Sequence, residues 1–190
     1  MKDDSFKGIK YGGRHWPSHT DKIFNPMEFE GTVNKCIKAL KQIWKDEGQF
    51  QAIAGSGNSA LPILGAISYI TNIPMIAVRK KGDSAHDDRQ VNGPIYEGAA
   101  KSLRYVFVDD FIASGATFHR TVEYIKFEAK IETKCIAMVN YQEDYHDVQM
   151  KKTKITCMDV IRDPEAYSKN LSFRFNGNHM ELPVYFAQKF

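Results

Sequence analysis

Apolar positions first recur at helical spacing at Phe29, Val33, Ile37, Leu40 and Trp44, which predicts an amphipathic helix over residues 27–46. Short apolar runs then alternate with helical ones. FQAIA (50–54), MIAVR (75–79), RYVFV (104–108), KCIAMV (134–139) and KITCMDV (154–160) read as five strands. ALPILGAISYI (60–70) is apolar on nearly all sides, with Pro62 in what reads as a first turn, as in a buried helix. Phe118, Val122, Ile125 and Ala129 mark a helix over 117–129. GSGNS (55–59) reads as a loop. Residues 80–102 are polar, carry Gly82, Gly93, Pro94 and Gly98, and read as a long loop of the kind that is usually functional or disordered. Asn176-Gly177 fits a hairpin turn. Strands alternating with helices imply an α/β fold, a mainly parallel five-stranded sheet with helices on both faces. The two ends of the chain lack this alternation. They are expected to form a small hood, from residues 1–26 and 161–190, over a core at 27–160 within one domain.

Composition narrows the class. With 43% hydrophobic and 26% charged residues in a chain of 190, the sequence suits one ordinary globular domain. No apolar run approaches the roughly 18 residues that span a membrane, and the first residues lack the apolar centre of a signal peptide, so a cytoplasmic protein is expected. A net charge of +3 is too small to point to nucleic acid. Cys36, Cys135 and Cys157 are odd in number, widely spaced and without CxxC, which reads as core packing and not as a disulfide or zinc framework. His15, Trp16 and His19 fit no standard zinc spacing, and packing at the chain's end is the plainer reading.

The stretch YVFVDDFIASGATFHRT (105–121) carries the chemistry. An apolar strand ends in Asp109 and Asp110, a run of small residues follows, and a helix begins. Ligands of open parallel sheets sit at the carboxyl ends of the strands. Free N–H groups at a helix start attract anions, and small residues let a phosphate approach the backbone. Two carboxylates would repel that phosphate if they faced it. They suit sugar hydroxyls or a hydrated Mg²⁺ a few ångströms away, so the matching ligand is a sugar phosphate. An acidic turn before a helix capped by Ser114 stays open as the plainer alternative. The stretch is neither a P-loop nor GxGxxG.

VFVDDFIASGAT resembles the phosphoribosyl-pyrophosphate signature of type I phosphoribosyltransferases. The resemblance implies that Asp109 and Asp110 hold the ribose hydroxyls, and through them or water Mg²⁺. It implies that Ala113, Ser114, Gly115, Ala116 and Thr117 cradle the 5′-phosphate, with Phe111 against the nucleobase and Ile112 beside it. AGSGNSALPI stands where the family has its pyrophosphate loop, so Ser56, Gly57, Asn58 and Ser59 would meet pyrophosphate, in a loop that often holds a strained or cis peptide. MIAVRKKGD is similar to the strand entering the mobile catalytic loop. Arg79, Lys80 and Lys81 would stabilise the leaving pyrophosphate, and His86 could donate to it. FNPMEF is similar to the segment ahead of the first core helix in adenine enzymes.

Two departures matter. Many members place Arg or Lys where this chain has Asn58 and Ser59. Ala113 replaces the acid that hypoxanthine–guanine enzymes use, as adenine and xanthine enzymes also do. The Lys-x-Lys-x-His-Gly loop of orotate enzymes is not present. The expectation is therefore a purine phosphoribosyltransferase of adenine or xanthine type, a homodimer that uses phosphoribosyl pyrophosphate, a nucleobase and Mg²⁺. An orotate-type enzyme and a non-catalytic regulator that binds phosphoribosyl pyrophosphate stand as alternatives. The apolar face of KCIAMV and Tyr141 are expected to wall the base pocket.

Overall fold

Asn25 starts the first long helix. Its side-chain Oδ1 accepts from the Met27 N–H at 3.1 Å, and Pro26, which has no N–H to satisfy, occupies the first helical position. The computed structural model describes residues 21–79, 91–92, 102–110, 116–142, 159–162, 170–175, 178–187 and 190. A short helix α1 (Asp21–Phe24) leads into α2 (Pro26–Asp46). Strand β1 (Ala52–Ser56), helix α3 (Gly57–Thr71), strands β2 (Met75–Val78), β3 (Val91–Asn92) and β4 (Ser102–Asp109), helix α4 (Ala116–Ala129) and strand β5 (Glu132–Asn140) follow. The described chain closes with β6 (Asp159–Arg162), β7 (Asn170–Phe175) and β8 (Asn178–Phe186).

The sheet order is β3-β2-β1-β4-β5-β8-β7-β6. Its centre, β2-β1-β4-β5-β8, is parallel throughout, as expected of a five-stranded core. The fifth parallel strand is not 154–160, however. Residues 154–158 lie outside the described part, and β6 at Asp159–Arg162 runs antiparallel to β7 at the sheet's edge. The parallel place belongs to the end of β8, where Val184, Tyr185 and Phe186 pair with Met138, Val139 and Asn140. The earlier part of β8 pairs antiparallel with β7, with Phe175 opposite Asn178. That is the flank a hairpin at residues 176 and 177 requires, although those two lie outside the described residues.

Helices cover both faces. On one face α2 and α3 pack Val33, Cys36, Leu40, Ile43, Ile63, Leu64 and Ile67 against Ile53, Val106, Val108 and Val139. On the other, α4 lays Phe118 and Ile125 on Ala54, Tyr105, Phe107 and Met138. Phe107 and Phe118 meet edge to face with ring centroids 5.2 Å apart. A register shift between Tyr105 and Val106 leaves Ile136 of β5 as an extra residue, so Ile136 and Ala137 both face the α2–α3 side. Burial pushes the Cys36 and Cys135 thiols up to about 12, so both act as small apolar groups. Trp44 is not the core residue its spacing suggests. It is half-exposed and edges against Phe50 at 5.2 Å.

The C-terminus of α2 is closed from a distance. The Arg104 guanidinium on β4 donates through Nη2 to the Glu47 carbonyl at 2.7 Å, a cation at the negative end of the helix dipole. Gly55 lets α3 sit close against the sheet. A Cβ there would stand 2.8 Å from the Ala60 Cβ, the Leu64 Cδ1 and the Val108 carbonyl oxygen.

Gly55→Ala is therefore expected to push α3 off β1 and destabilise the chain by about 1–3 kcal/mol through overpacking. Thermal unfolding measures this, and an unchanged Tm would show that α3 has room to spare.

Candidate functional site

The switch point of the sheet lies between β1 and β4. From β1 the chain goes out to β2 and β3, then returns to lay β4 on the other side of β1. A crevice opens at the carboxyl ends of strands at such a reversal. Ser56 ends β1 and Asp109 ends β4. Asp109 and Asp110 come to this crevice because the apolar run of β4 buries the strand up to its last residue.

Residues 55–59 do not form the expected loop. β1 passes directly into α3 at Gly57, whose φ of +81° is a left-handed value that glycine adopts without strain. No cis peptide bond occurs among the described residues. The early helix start places Pro62 in the second turn and not the first. Ser56 is the N-cap, yet its side chain makes no capping bond, and its hydroxyl is buried without a partner. The first turn of α3 carries no acid. Its N–H groups form the positive end of a fifteen-residue helix beside the two aspartates. Gly57 is buried, Asn58 exposed and Ser59 half-buried.

Ser59 joins the two sides of the crevice. Its Oγ donates to Asp109 Oδ1 at 3.3 Å, and the Asp110 backbone N–H donates to the same oxygen at 3.0 Å. Both carboxylates are nearly buried, at 6% and 5% exposure. Burial, then the neighbouring Asp110 charge and a side-chain bond to Asp110, push the Asp109 carboxyl well above the usual aspartate range. The bonds from Ser59 and the Asp110 N–H oppose the shift without cancelling it. An acid pair of this kind is relieved by groups that donate hydrogen bonds, such as a vicinal diol, or by a cation.

The end of β5 backs the pair. The Tyr141 N–H donates to the Asp109 carbonyl at 3.2 Å and the Gln142 N–H to the Asp110 carbonyl at 2.9 Å. The Tyr141 hydroxyl donates to the Ser59 carbonyl at 2.8 Å. Tyr141 is therefore no wall of a base pocket. It is fully buried, and it ties α3 to β5. The KCIAMV strand likewise spends both its faces on the two cores. These tethers were missed in the sequence. The polar NYQ directly after an apolar strand was the available signal.

Arg79 directly follows Val78, the last residue of β2, which pairs with Ser56. It thus stands at the same end of the sheet as the aspartates. Ala116 and Thr117 form the start of α4, where the Thr117 carbonyl accepts from the Thr121 hydroxyl at 2.8 Å. Lys80, Lys81, His86, Phe111, Ile112, Ala113, Ser114 and Gly115 lie outside the described residues, as do His15, Trp16, His19 and Cys157. Among the described residues no helix is long and apolar enough to cross a membrane.

A family model described as PRTase-CE matches residues 28–188. Curated relatives include the orotate phosphoribosyltransferase of Listeria innocua, 22% identical over 68% of this chain and 73% of that protein. The orotate phosphoribosyltransferase of Pyrococcus furiosus is 32% identical over 56% of this chain and 57% of its own length. The chain thus spans under two thirds of the second relative. Among solved structures, Leishmania donovani UMP synthase has a TM-score of 0.49 at 22% identity, covering 66% of this chain and 24% of that one. The adenine phosphoribosyltransferase of Saccharomyces cerevisiae has a TM-score of 0.49 at 16% identity, covering 69% and 78%. Neither structural likeness reaches 0.5, so the family match carries the assignment.

Between the ordinary aspartate pKa and the raised value of Asp109, the folded chain keeps a proton that the unfolded chain has lost. Ligand-free stability is therefore expected to fall as pH rises through that window. Asp109→Asn keeps the acceptor oxygen and removes the charge. It should flatten this slope and raise Tm near neutral pH, by about 2–4 °C for each kcal/mol relieved. Thermal melts of both proteins across pH measure it; parallel curves would mean that Asp109 titrates normally.

Proposed function

The chain belongs to the PRTase-CE family, which has the type I phosphoribosyltransferase fold, and from that premise we propose that it transfers ribose 5-phosphate from phosphoribosyl pyrophosphate to a nucleobase nitrogen. The observation that carries this reading is the buried pair Asp109–Asp110 at the switch point, bonded through Ser59 to the uncapped start of α3. Asp109 and Asp110 accept from the ribose hydroxyls. The first turn of α3 and Arg79, with Lys80 and Lys81, stabilise the leaving pyrophosphate, and the start of α4 takes the 5′-phosphate. No protein nucleophile is required. Positioning and electrostatics lower the barrier while an oxocarbenium-like sugar forms.

Mg²⁺ fits this donor set. No cluster of three or more His, Cys, Asp or Glu side chains able to cage a metal occurs among the described residues. Magnesium usually keeps water and substrate oxygens as most of its ligands, so two acids reached through ribose hydroxyls or water suffice. When bound, the ion supplies positive charge to the pyrophosphate.

For the acceptor, the curated relatives favour a pyrimidine of the orotate class over the purine suggested by the sequence. The residue behind the purine expectation, Ala113, speaks only against one purine subtype. A purine acceptor remains the second reading because the Lys-x-Lys-x-His-Gly loop of orotate enzymes is not present. The division into core and hood belongs to the same proposal. Antiparallel β6, β7 and the first part of β8 would supply the hood's C-terminal portion, while residues 184–186 belong to the core. The homodimer rests on the family resemblance.

Pyrophosphate release, measured with phosphoribosyl pyrophosphate, Mg²⁺ and orotate, adenine, xanthine, hypoxanthine or guanine in turn, tests the proposal. Orotate-dependent release, cut by 100-fold or more in Asp109→Asn/Asp110→Asn, is expected, on the order of what lost transition-state contacts cost. Release with a purine alone would select the second reading. Saturable binding of phosphoribosyl pyrophosphate without release would leave a regulator.

A further inference from the structure

The last residues of three neighbouring parallel strands form a polar row. Ala54 pairs with Phe107 and Phe107 with Met138, all on the α4 face. Strand side chains alternate faces, so two residues further on Ser56, Asp109 and Asn140 share that face. Asp109 and Asn140 are themselves a paired position. All three are buried, at 1%, 6% and 0% exposure. The central acid is bonded, but the groups flanking it are not. The Ser56 hydroxyl has no partner, and neither has Asn140 Nδ2. Asn140 Oδ1 is used, accepting from the Gln142 N–H at 3.0 Å, so the amide is anchored by its oxygen with its donor left over.

A buried amide donor without a partner is rare and costly, because its hydration is lost and nothing replaces it. An apolar residue of similar size would serve packing better at this position. The adjacent acceptor in the row is the Asp109 carboxylate, one strand away. In the ligand-free arrangement Asp109 Oδ1 is engaged by Ser59 and the Asp110 N–H.

We infer that Asn140 is a positioning residue for Asp109: its Nδ2 bonds the Asp109 carboxylate once sugar hydroxyls draw that carboxylate away from Ser59. The inference deepens the proposed site and rests on the reading that Asp109 holds the ribose. It explains why a fully buried strand end carries an amide. The donor idles without ligand and orients the acid with it. The price of the idle donor is lower stability of the ligand-free chain.

The test combines ligand-free melting with calorimetric titration of phosphoribosyl pyrophosphate and Mg²⁺ into the full chain, for wild type, Asn140→Leu and Asn140→Ala. Leucine removes the idle donor. The Gln142 N–H keeps its bond to the Asp110 carbonyl. Asn140→Leu should melt no lower than wild type yet bind roughly 10- to 100-fold more weakly, the size of a bond to a charged group. Asn140→Ala should show the same loss of affinity, and it carries the test if the leucine variant fails to fold. A folded variant with unchanged affinity overturns the inference alone, as does a lower Tm of folded Asn140→Leu, which would make the amide structural; Asn140→Ala is read by affinity only, because its cavity lowers Tm by itself. Wild type failing to bind phosphoribosyl pyrophosphate overturns the underlying reading and the inference with it.

Discussion

The hydrogen bond from Ser59 to Asp109 spans the place where the sheet reverses its winding, and the site is organised around it. Two adjacent carboxylates are buried there, although like charges in a dry setting repel. The chain surrounds them with donors: the Ser59 hydroxyl and the Asp110 N–H on the Asp109 carboxylate, and the Tyr141 and Gln142 N–H groups on the two backbone carbonyls. These fix the acids in place without neutralising them. What remains is a buried pair of acids, the electrostatic complement of a sugar diol or a hydrated cation.

That constraint reaches into the packing. Ser59 can meet Asp109 because α3 starts at once after β1, with Gly57 making the turn at positive φ and Gly55 letting the helix lie against the Val108 carbonyl. The Tyr141 phenol then pins the first turn from the far side. Ser59 and Tyr141 bond Asp109 directly, and Gly55 lies beside Val108, the residue before Asp109. A change in the seating of α3 would therefore be felt as a change in the site. The hydroxyl of Ser56, free of any capping duty, and the open N–H groups of the same turn put anion-binding capacity beside the acids.

Most of the core was readable from periodicity. All three long helices and four of the parallel strands lie within a few residues of their predicted places, because apolar spacing directly reports which faces are buried. The misreadings have physical causes. The run at 154–160 is apolar enough for a buried strand, but pairing depends on what the sheet edge accepts, and β8 takes the place beside β5. Gly-Ser-Gly looks like a loop because glycine disfavours helices, yet a single left-handed glycine suffices to pass from strand to helix. Trp44 continues the helical stripe in sequence, but it falls at the edge of the buried face.

The sequence by itself determined the α/β alternation, the acids at the end of a buried strand and the small residues after them. These are local properties, set by side-chain period, burial and backbone freedom. Tertiary structure decided which strand lies beside which, and so that Ser56, Asp109 and Asn140 form one row and that Ser59 reaches Asp109. It also turned Tyr141 from an expected pocket wall into a buried tether. The reason is that hydrogen bonds between strand ends depend on register and on the order of strands across the sheet, and neither leaves a periodic trace in the chain.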